Sequence, residues 1–423
     1  MNNIIPNIKP IIAQTTSSNS SLAQLFEAQV RLSPEAIAVN FVGEQLTYQE
    51  LNYRADRLAD YLNNLETKPK KIGILVERSL WSFIAILGVL KSGAACLPLN
   101  PRDDIRDTHY FLKDAEVNYC ITQNKFVANL VSNNIFSLAL DTQWSTIASF
   151  SQSNSTPHHD TAKDLAFIVY GSQFRDKTPG VAIEHGAVIN LAKALAKDIY
   201  QNYPQQLKIA FHDFSKIDNC LKLIVPLVNG HSIYIIPQEI ELDLESMAKF
   251  IAQNKIDIFD CNLTYLKLLI TLPFFQQKSP LKAITIDHHP IDRDTWALIS
   301  RNQTVDFYNL YSATECATSI AISQINTKQI TPTIGRSLLN TQIYILDENL
   351  QAVPIGVVGE LYIGGAQLAR EYINNSELTE QKFIPNPFDV RLSTRLYRTG
   401  DRGRYLTKGN IEYIGRIDNI KIA

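Results

Sequence analysis

From Ser21 to about residue 330, short apolar runs alternate with stretches of helical periodicity, and few folds accommodate that rhythm. Leu22, Leu25, Phe26 and Val30 recur at helical spacing, and Ala36-Ile-Ala-Val-Asn-Phe41 then alternates as a half-buried strand does. Lys71-Ile-Gly-Ile-Leu-Val76 reads as a buried strand with a helix behind it through Leu90; Cys96-Leu-Pro-Leu-Asn-Pro101 and Asn118-Tyr-Cys-Ile-Thr122 follow as strands. The pattern resumes at Asp164, with strands at Lys208–His212, Ser232–Pro237, Asp257–Asp260 and Ala283–Ile286. Strands that take turns with helices predict layered α/β units with mainly parallel sheet. Beyond about residue 330 the texture changes to short strands broken by Gly and Pro, at Gln342–Asp347, Gly359–Ile363 and Asn410–Ile414. These predict a smaller, barrel-like β unit.

The expected division is a loose leader over 1–20, a first α/β subdomain over 21–150 and a surface linker over 151–163. A second α/β subdomain with the substrate pocket covers 164–325, the β-rich subdomain 326–418, and a hinge begins at 419–423. The linker is rich in Ser, Thr and His; its His158-His159 pair has no acidic or cysteine partner at ligand spacing and reads as loop. With 45% hydrophobic and 19% charged residues and a net charge of −2, the composition gives no electrostatic reason to expect nucleic acid or an anionic membrane as partner. Cys96, Cys120, Cys220, Cys261 and Cys316 show no metal-ligand spacing and read as free thiols of a reducing compartment. No signal peptide or bilayer-length apolar run is found, so the chain reads as cytoplasmic.

Six segments, taken in order, resemble the adenylation domain of nonribosomal peptide synthetases, a branch of the adenylate-forming ligases. They are Leu46-Thr-Tyr-Gln-Glu-Leu-Asn52, Leu90-Lys-Ser-Gly-Ala-Ala-Cys-Leu-Pro-Leu-Asn-Pro101, Gly359-Glu-Leu-Tyr-Ile-Gly-Gly365, Phe383-Ile-Pro-Asn-Pro-Phe388, Tyr397-Arg-Thr-Gly-Asp401 and Gly415-Arg-Ile-Asp418. Ile343-Tyr-Ile-Leu-Asp347 with Val353-Pro-Ile-Gly356 favours the peptide-synthetase branch over acyl-CoA ligases. The resemblance implies formation of an acyl-adenylate from a carboxylic acid and ATP, held with Mg²⁺, with release of pyrophosphate. The acyl group then passes to the phosphopantetheine thiol of a carrier protein, in an assembly line with neighbouring domains. It also implies a small lid after the hinge, whose catalytic lysine is not among these 423 residues.

Site roles follow from the same resemblance. Tyr311 stacks on adenine, Asn309 contacts its edge, Thr314 contacts phosphate and Glu315 holds Mg²⁺, for which a carboxylate suits a hard cation. Asp401 accepts both ribose hydroxyls, as a carboxylate can; Tyr413 and Arg416 complete the nucleotide site, and Asp418 is the hinge. Asp213 grips an α-ammonium, which favours an α-amino acid over a fatty or aryl acid. Phe214, Ile217, Thr264, Thr285, Asp287, Leu310, Thr318 and Ser319 line the rest of the pocket. Asp287 points to a basic or hydroxylated substrate side chain; alternatively its bulk and that of His288, where small residues are usual, fill the cavity.

The segment Leu165–His185 matches the family's phosphate loop in place but not in composition. Ser172 and Gly180 are retained, Gln173, Phe174, Arg175 and Asp176 form the tip, and Thr178-Pro179 replaces the usual proline-lysine pair. Small residues let successive backbone N–H groups converge on phosphate, and glycine permits turns with positive φ. Pro179 removes a donor and Asp176 adds negative charge, which Arg175 and Lys177 can offset. Two readings stay open. One is an amino-acid-adenylating ligase core; the other is a catalytically impaired pseudo-adenylation domain retained as a platform.

Overall fold

The computed structural model describes residues 19–131, 134–150, 161–171, 179–203, 205–212, 219–272, 279–287, 290–302, 304–328, 331–389, 394–407 and 409–417. The chain divides into two compact units. The first comprises residues 1–206, 214–238 and 369–375, and the second 207–213, 239–368 and 376–423.

The first unit holds β1 (Ile37–Phe41), β2 (Glu44–Thr47), β3 (Lys71–Leu75), β4 (Ala95–Leu99), β5 (Tyr119–Thr122), β6 (Phe136–Ala139), β7 (Leu165–Tyr170) and β8 (Gly180–Glu184). In the second lie β9 (Lys208–Phe211), β11 (Ile258–Asn262), β12 (Ala283–Asp287), β13 (Asp306–Ala313), β14 (Thr318–Ile325), β15 (Arg336–Ser337), β16 (Thr341–Leu346) and β17 (Gly359–Gly365). β10 (Ser232–Ile235) and β18 (Glu371–Tyr372) belong to the first unit, and β19 (Phe383–Pro385), β20 (Arg395–Tyr405) and β21 (Ile411–Arg416) to the second.

The main sheet of the first unit runs β18-β8-β7-β4-β3-β5-β6, with β3 through β7 parallel and β8 and β18 antiparallel. β10, β1 and β2 pair separately from it. Two of its helices start where side chains satisfy orphan N–H groups. Ser21 and Gln24 close a capping box on Leu22–Leu32, and Thr47 and Glu50 close another on Tyr48–Asn63. The second of these helices packs against Leu80–Ser92 at Gly88, where a Cβ would stand 2.6 Å from Leu58 Cδ2. Tyr48 is fully buried and donates its hydroxyl toward the carbonyls of Leu227 (2.9 Å) and His231 (2.8 Å).

In the second unit β9, β11, β12 and β13 are parallel, and β14 and β15 add antiparallel strands beyond β13. A smaller antiparallel sheet runs β16-β17-β20-β19, with β21 on β20. The architecture is therefore the mixed α/β with a smaller β sheet that the sequence predicts.

Two details depart from the expected layout. β7 and β8, placed at the start of a second subdomain, join the first sheet instead, where wholly apolar β7 lies between β4 and β8. The helix Leu140–Ser149 and strand β6 lie where no regular element was foreseen, because each is half exposed and short on periodicity. All five cysteines are free, and four of them are buried.

Candidate functional site

β13 delivers the predicted nucleotide residues. Odd and even positions of a strand face opposite sides, so Asn309 and Tyr311 share one face, and Tyr308, Leu310 and Ser312 the other. Tyr311 is buried and donates its hydroxyl to Asp401 Oδ2 at 2.5 Å. Asp401, 8% exposed on β20, also lies 3.4 Å from the Tyr413 hydroxyl and 3.4 Å from Arg416 Nη1, both on β21. The Tyr311 and Tyr413 rings stand 6.2 Å apart, tilted at 46°.

Glycine at 400 is required for this placement. Its φ is +77°, its N–H donates to Glu360 Oε1 at 3.1 Å, and the next N–H, of Asp401, donates to Thr399 Oγ1 at 2.9 Å.

Burial pushes the Asp401 carboxyl above the usual carboxylate range, while Tyr311, Arg416 and Tyr413 oppose that rise and the nearby Glu315 charge adds to it. Burial and Asp401 together push Tyr413 up to about 12. The cluster is a buried carboxylate ringed by hydroxyls and one guanidinium. Chemically it is suited to accept paired hydroxyl donors.

Thr314 and Glu315 sit half-buried in a single 3₁₀ turn, Thr314–Cys316, that follows β13. The chain leaves it through Ala317 and Thr318 with φ of 48° and 77°. Two successive positive φ values, one on a β-branched residue, are costly and cluster at working sites. Asn309, expected to touch a ligand edge, is buried, and its amide donates to the Thr333 carbonyl at 2.8 Å.

The opposite face of β11–β13 gathers most of the described substrate residues. Parallel register sets Asp260 beside Thr285, and Asp287 beside both Asn262 and Leu310. The Thr285 hydroxyl donates to Asp260 Oδ2 at 2.6 Å, and the Ser312 hydroxyl donates to Asp287 Oδ1 at 2.5 Å. Ser312 Oγ also lies 3.4 Å from the Ser319 hydroxyl. Thr318 is 1% exposed, and its hydroxyl has no partner among the described residues.

Thr264 differs from the others: it is exposed on the helix Leu263–Leu269, whose buried neighbour Tyr265 packs on the His212 ring at 3.7 Å. Ser172, Arg175, Lys177, Asp213, Phe214, Ile217 and Asp418, with His158, His159 and His288, lie outside the described residues.

Gly180, expected as part of the phosphate loop, opens β8. It is extended rather than at positive φ, and what it provides is room. A Cβ there would meet Tyr170 Cζ at 2.7 Å. Asp260, Thr333, Thr399 and Gln367 are further residues of these clusters that the sequence did not single out. Gln367 is fully buried and donates to the Ser319 carbonyl at 2.6 Å while accepting from Thr341 Oγ1 at 2.7 Å. Only Thr399 carried a signal, as the middle of the Tyr397–Asp401 motif.

Comparison with known proteins gives the cluster a context. The chain is 33% identical over 413 residues to tyrocidine synthase 3 of Brevibacillus parabrevis, covering 95% of this chain and 6% of that protein. To gramicidin S synthase 1 of Brevibacillus brevis it is 33% identical over 406 residues, covering 95% of this chain and 36% of that protein. The chain thus spans a minor part of the length of these relatives.

Among solved structures, the NpsA N-terminal subdomain of Klebsiella oxytoca, in complex with 3-hydroxybenzoyl-AMSN, superposes with a TM-score of 0.83 at 22% identity, covering 95% of this chain and all of that one. FmoA3 in its α-methyl-L-serine-AMP-bound form gives 0.84 at 23% identity, covering 96% of this chain and 46% of that one. Both likenesses establish the fold. A family model described as AMP-binding enzyme matches residues 26–373, so a chain with this fold and this buried Asp401 cluster belongs to the AMP-binding enzymes.

Proposed function

We propose that the chain binds Mg·ATP and activates an α-amino acid as its aminoacyl-adenylate, in the cytoplasm, for transfer to the phosphopantetheine thiol of a carrier protein in nonribosomal peptide synthesis. The observation that carries this reading is the convergence of Tyr311, Tyr413 and Arg416 on the buried Asp401 carboxylate. Family membership and the match to tyrocidine and gramicidin S synthases support it.

In this reading Asp401 accepts the two ribose hydroxyls, and Tyr311 and Tyr413 flank the base. Asn309, one amide N–H of which is tied to Thr333, contacts the edge of the base. Among the described residues no three metal-binding side chains come together. Glu315 would hold Mg²⁺ together with phosphate oxygens and water, as that ion commonly allows. The ion's chemistry would be to neutralise the triphosphate as pyrophosphate leaves. Thr314, in the same turn, would donate to a phosphate oxygen.

Calorimetric titration with Mg·ATP tests the reading. Saturable binding is expected, at least tenfold weaker in Asp401→Ala. Failure of the folded protein to bind Mg·ATP would overturn it and leave the fold as a platform.

A further inference from the structure

Strand β20 does not run evenly beside β17. Tyr362 pairs with Arg398 and Glu360 with Arg402, so the single residue Leu361 faces the three residues Thr399, Gly400 and Asp401. The surplus makes a β-bulge, a device that re-aims a side chain and is over-represented beside active sites. Here the group it carries is the Asp401 carboxylate, to which Tyr311 donates.

A bulge disrupts the ladder, and its N–H groups need other acceptors. Thr399 Oγ1 accepts the Asp401 N–H at 2.9 Å and donates to the Leu361 carbonyl at 2.7 Å. Glu360 Oε1 accepts the Gly400 N–H at 3.1 Å. Thr399 belongs to the bulge, whereas Glu360 reaches it from the neighbouring strand. Glu360 is itself well held. Its two oxygens lie 3.0 and 3.1 Å from Arg398 Nε, and the Tyr362 hydroxyl lies 3.3 Å from Oε2. The Glu360 side chain is 11% exposed but that of Arg398 is 47%, and an ion pair so open to water adds little to stability.

The geometry required of Asp401 is narrow. A binding group that must meet two adjacent hydroxyls has to be held within about 0.5 Å by bonds that lock its supports. Gly400, with φ of +77°, imposes no conformation of its own, so the turn that points Asp401 depends on the bond from Glu360. We propose that Glu360 is a positioning residue for nucleotide binding: its bond to the Gly400 N–H holds the bulge that aims Asp401 at both ribose hydroxyls. It acts through Asp401, and the proposal rests on the adenylating function given above.

The test compares Mg·ATP with Mg·2′,3′-dideoxy-ATP by calorimetry. Wild-type protein is expected to bind ATP about tenfold or more tightly than the dideoxy nucleotide, as hydrogen bonds to a carboxylate warrant. Glu360→Ala should cut that preference to about threefold or less, with dideoxy-ATP affinity held within about twofold, since only the aim of Asp401 is lost. A merely structural role would weaken both nucleotides alike and leave the ratio unchanged. Glu360→Gln keeps an acceptor for the Gly400 N–H and should retain the preference. Arg398→Ala breaks the ion pair and should retain it as well. Where Glu360→Ala does not fold, Glu360→Asp, which withdraws the carboxylate by one methylene, should lower the preference in the same way.

An undiminished preference in folded Glu360→Ala or Glu360→Asp overturns the positioning role alone. So does an equal loss in Glu360→Gln or Arg398→Ala, which would assign the effect to charge. Wild-type protein that binds both nucleotides equally overturns the ribose role of Asp401, and this proposal with it, while leaving ATP binding intact. Failure to bind either nucleotide overturns the adenylating function itself.

Discussion

Asp401 is held where folding gains little from its charge. Burial raises its pKa, so the carboxylate form is disfavoured there, and the Tyr311 bond and Arg416 recover only part of that cost. By linkage, its contribution to stability is present at low pH and declines as pH rises through its folded pKa. Asp401→Asn keeps an acceptor for Tyr311 and removes the buried charge. Its unfolding free energy should therefore stay within about 1 kcal/mol of wild type, since the only ion partner among the described residues is partly exposed. Mg·ATP affinity should nevertheless fall at least tenfold. A large loss of stability by urea denaturation, or undiminished binding by calorimetry, would refute this account of the residue. Asp401 was legible in the sequence because its partners sit in short local motifs. Asp260 was not, since its bond to Thr285 exists only through the register of two parallel strands separated by a helix.

At the level of elements, the hairpin of β7 and β8 shows what the sequence could and could not disclose. Both strands were apparent from apolar runs, yet their place in the first sheet depends on which edge of β4 remains open, and no local pattern encodes that. Gly180 was expected as a retained residue of the phosphate loop; in the fold it lies flat beneath the Tyr170 ring. That ring has no easy retreat. It stacks on Phe111 with centroids 4.4 Å apart, and its hydroxyl donates to Asp114 Oδ2 at 2.7 Å. A methyl group at 180 must displace Tyr170 or part the strands, so Gly180→Ala should cost about 1–3 kcal/mol, as overpacked cores do. The urea midpoint should fall with the slope unchanged. A wild-type midpoint would show that the ring moves aside freely.

On the scale of the whole chain, two buried histidines of the first unit bear on its response to acid. Burial lowers His185 to about 4, which nearby Asp164 opposes, and lowers His231 to about 3. Both belong to the first unit. His185 Nδ1 must be unprotonated to accept the Leu22 N–H at 3.2 Å, the bond at the start of the helix Leu22–Leu32. A depressed histidine binds fewer protons folded than unfolded, so its stabilisation is complete above the unfolded pKa of about 6.5. It is lost as pH falls from there toward the folded value. At pH 5 each histidine should cost the first unit on the order of 2 kcal/mol relative to neutral pH. Asp56, which burial raises, works in the opposite sense, but a carboxylate reaches its range only near the bottom of that window. Hydrogen exchange at pH 7 and pH 5, corrected for intrinsic rates, should therefore show protection falling in β3, β4 and β7 before β11, β12 and β13. His185→Gln, whose side-chain oxygen can still accept from Leu22, should remove about half of the difference. Equal loss of protection in both units would mean that these two histidines do not set the acid limit of the molecule.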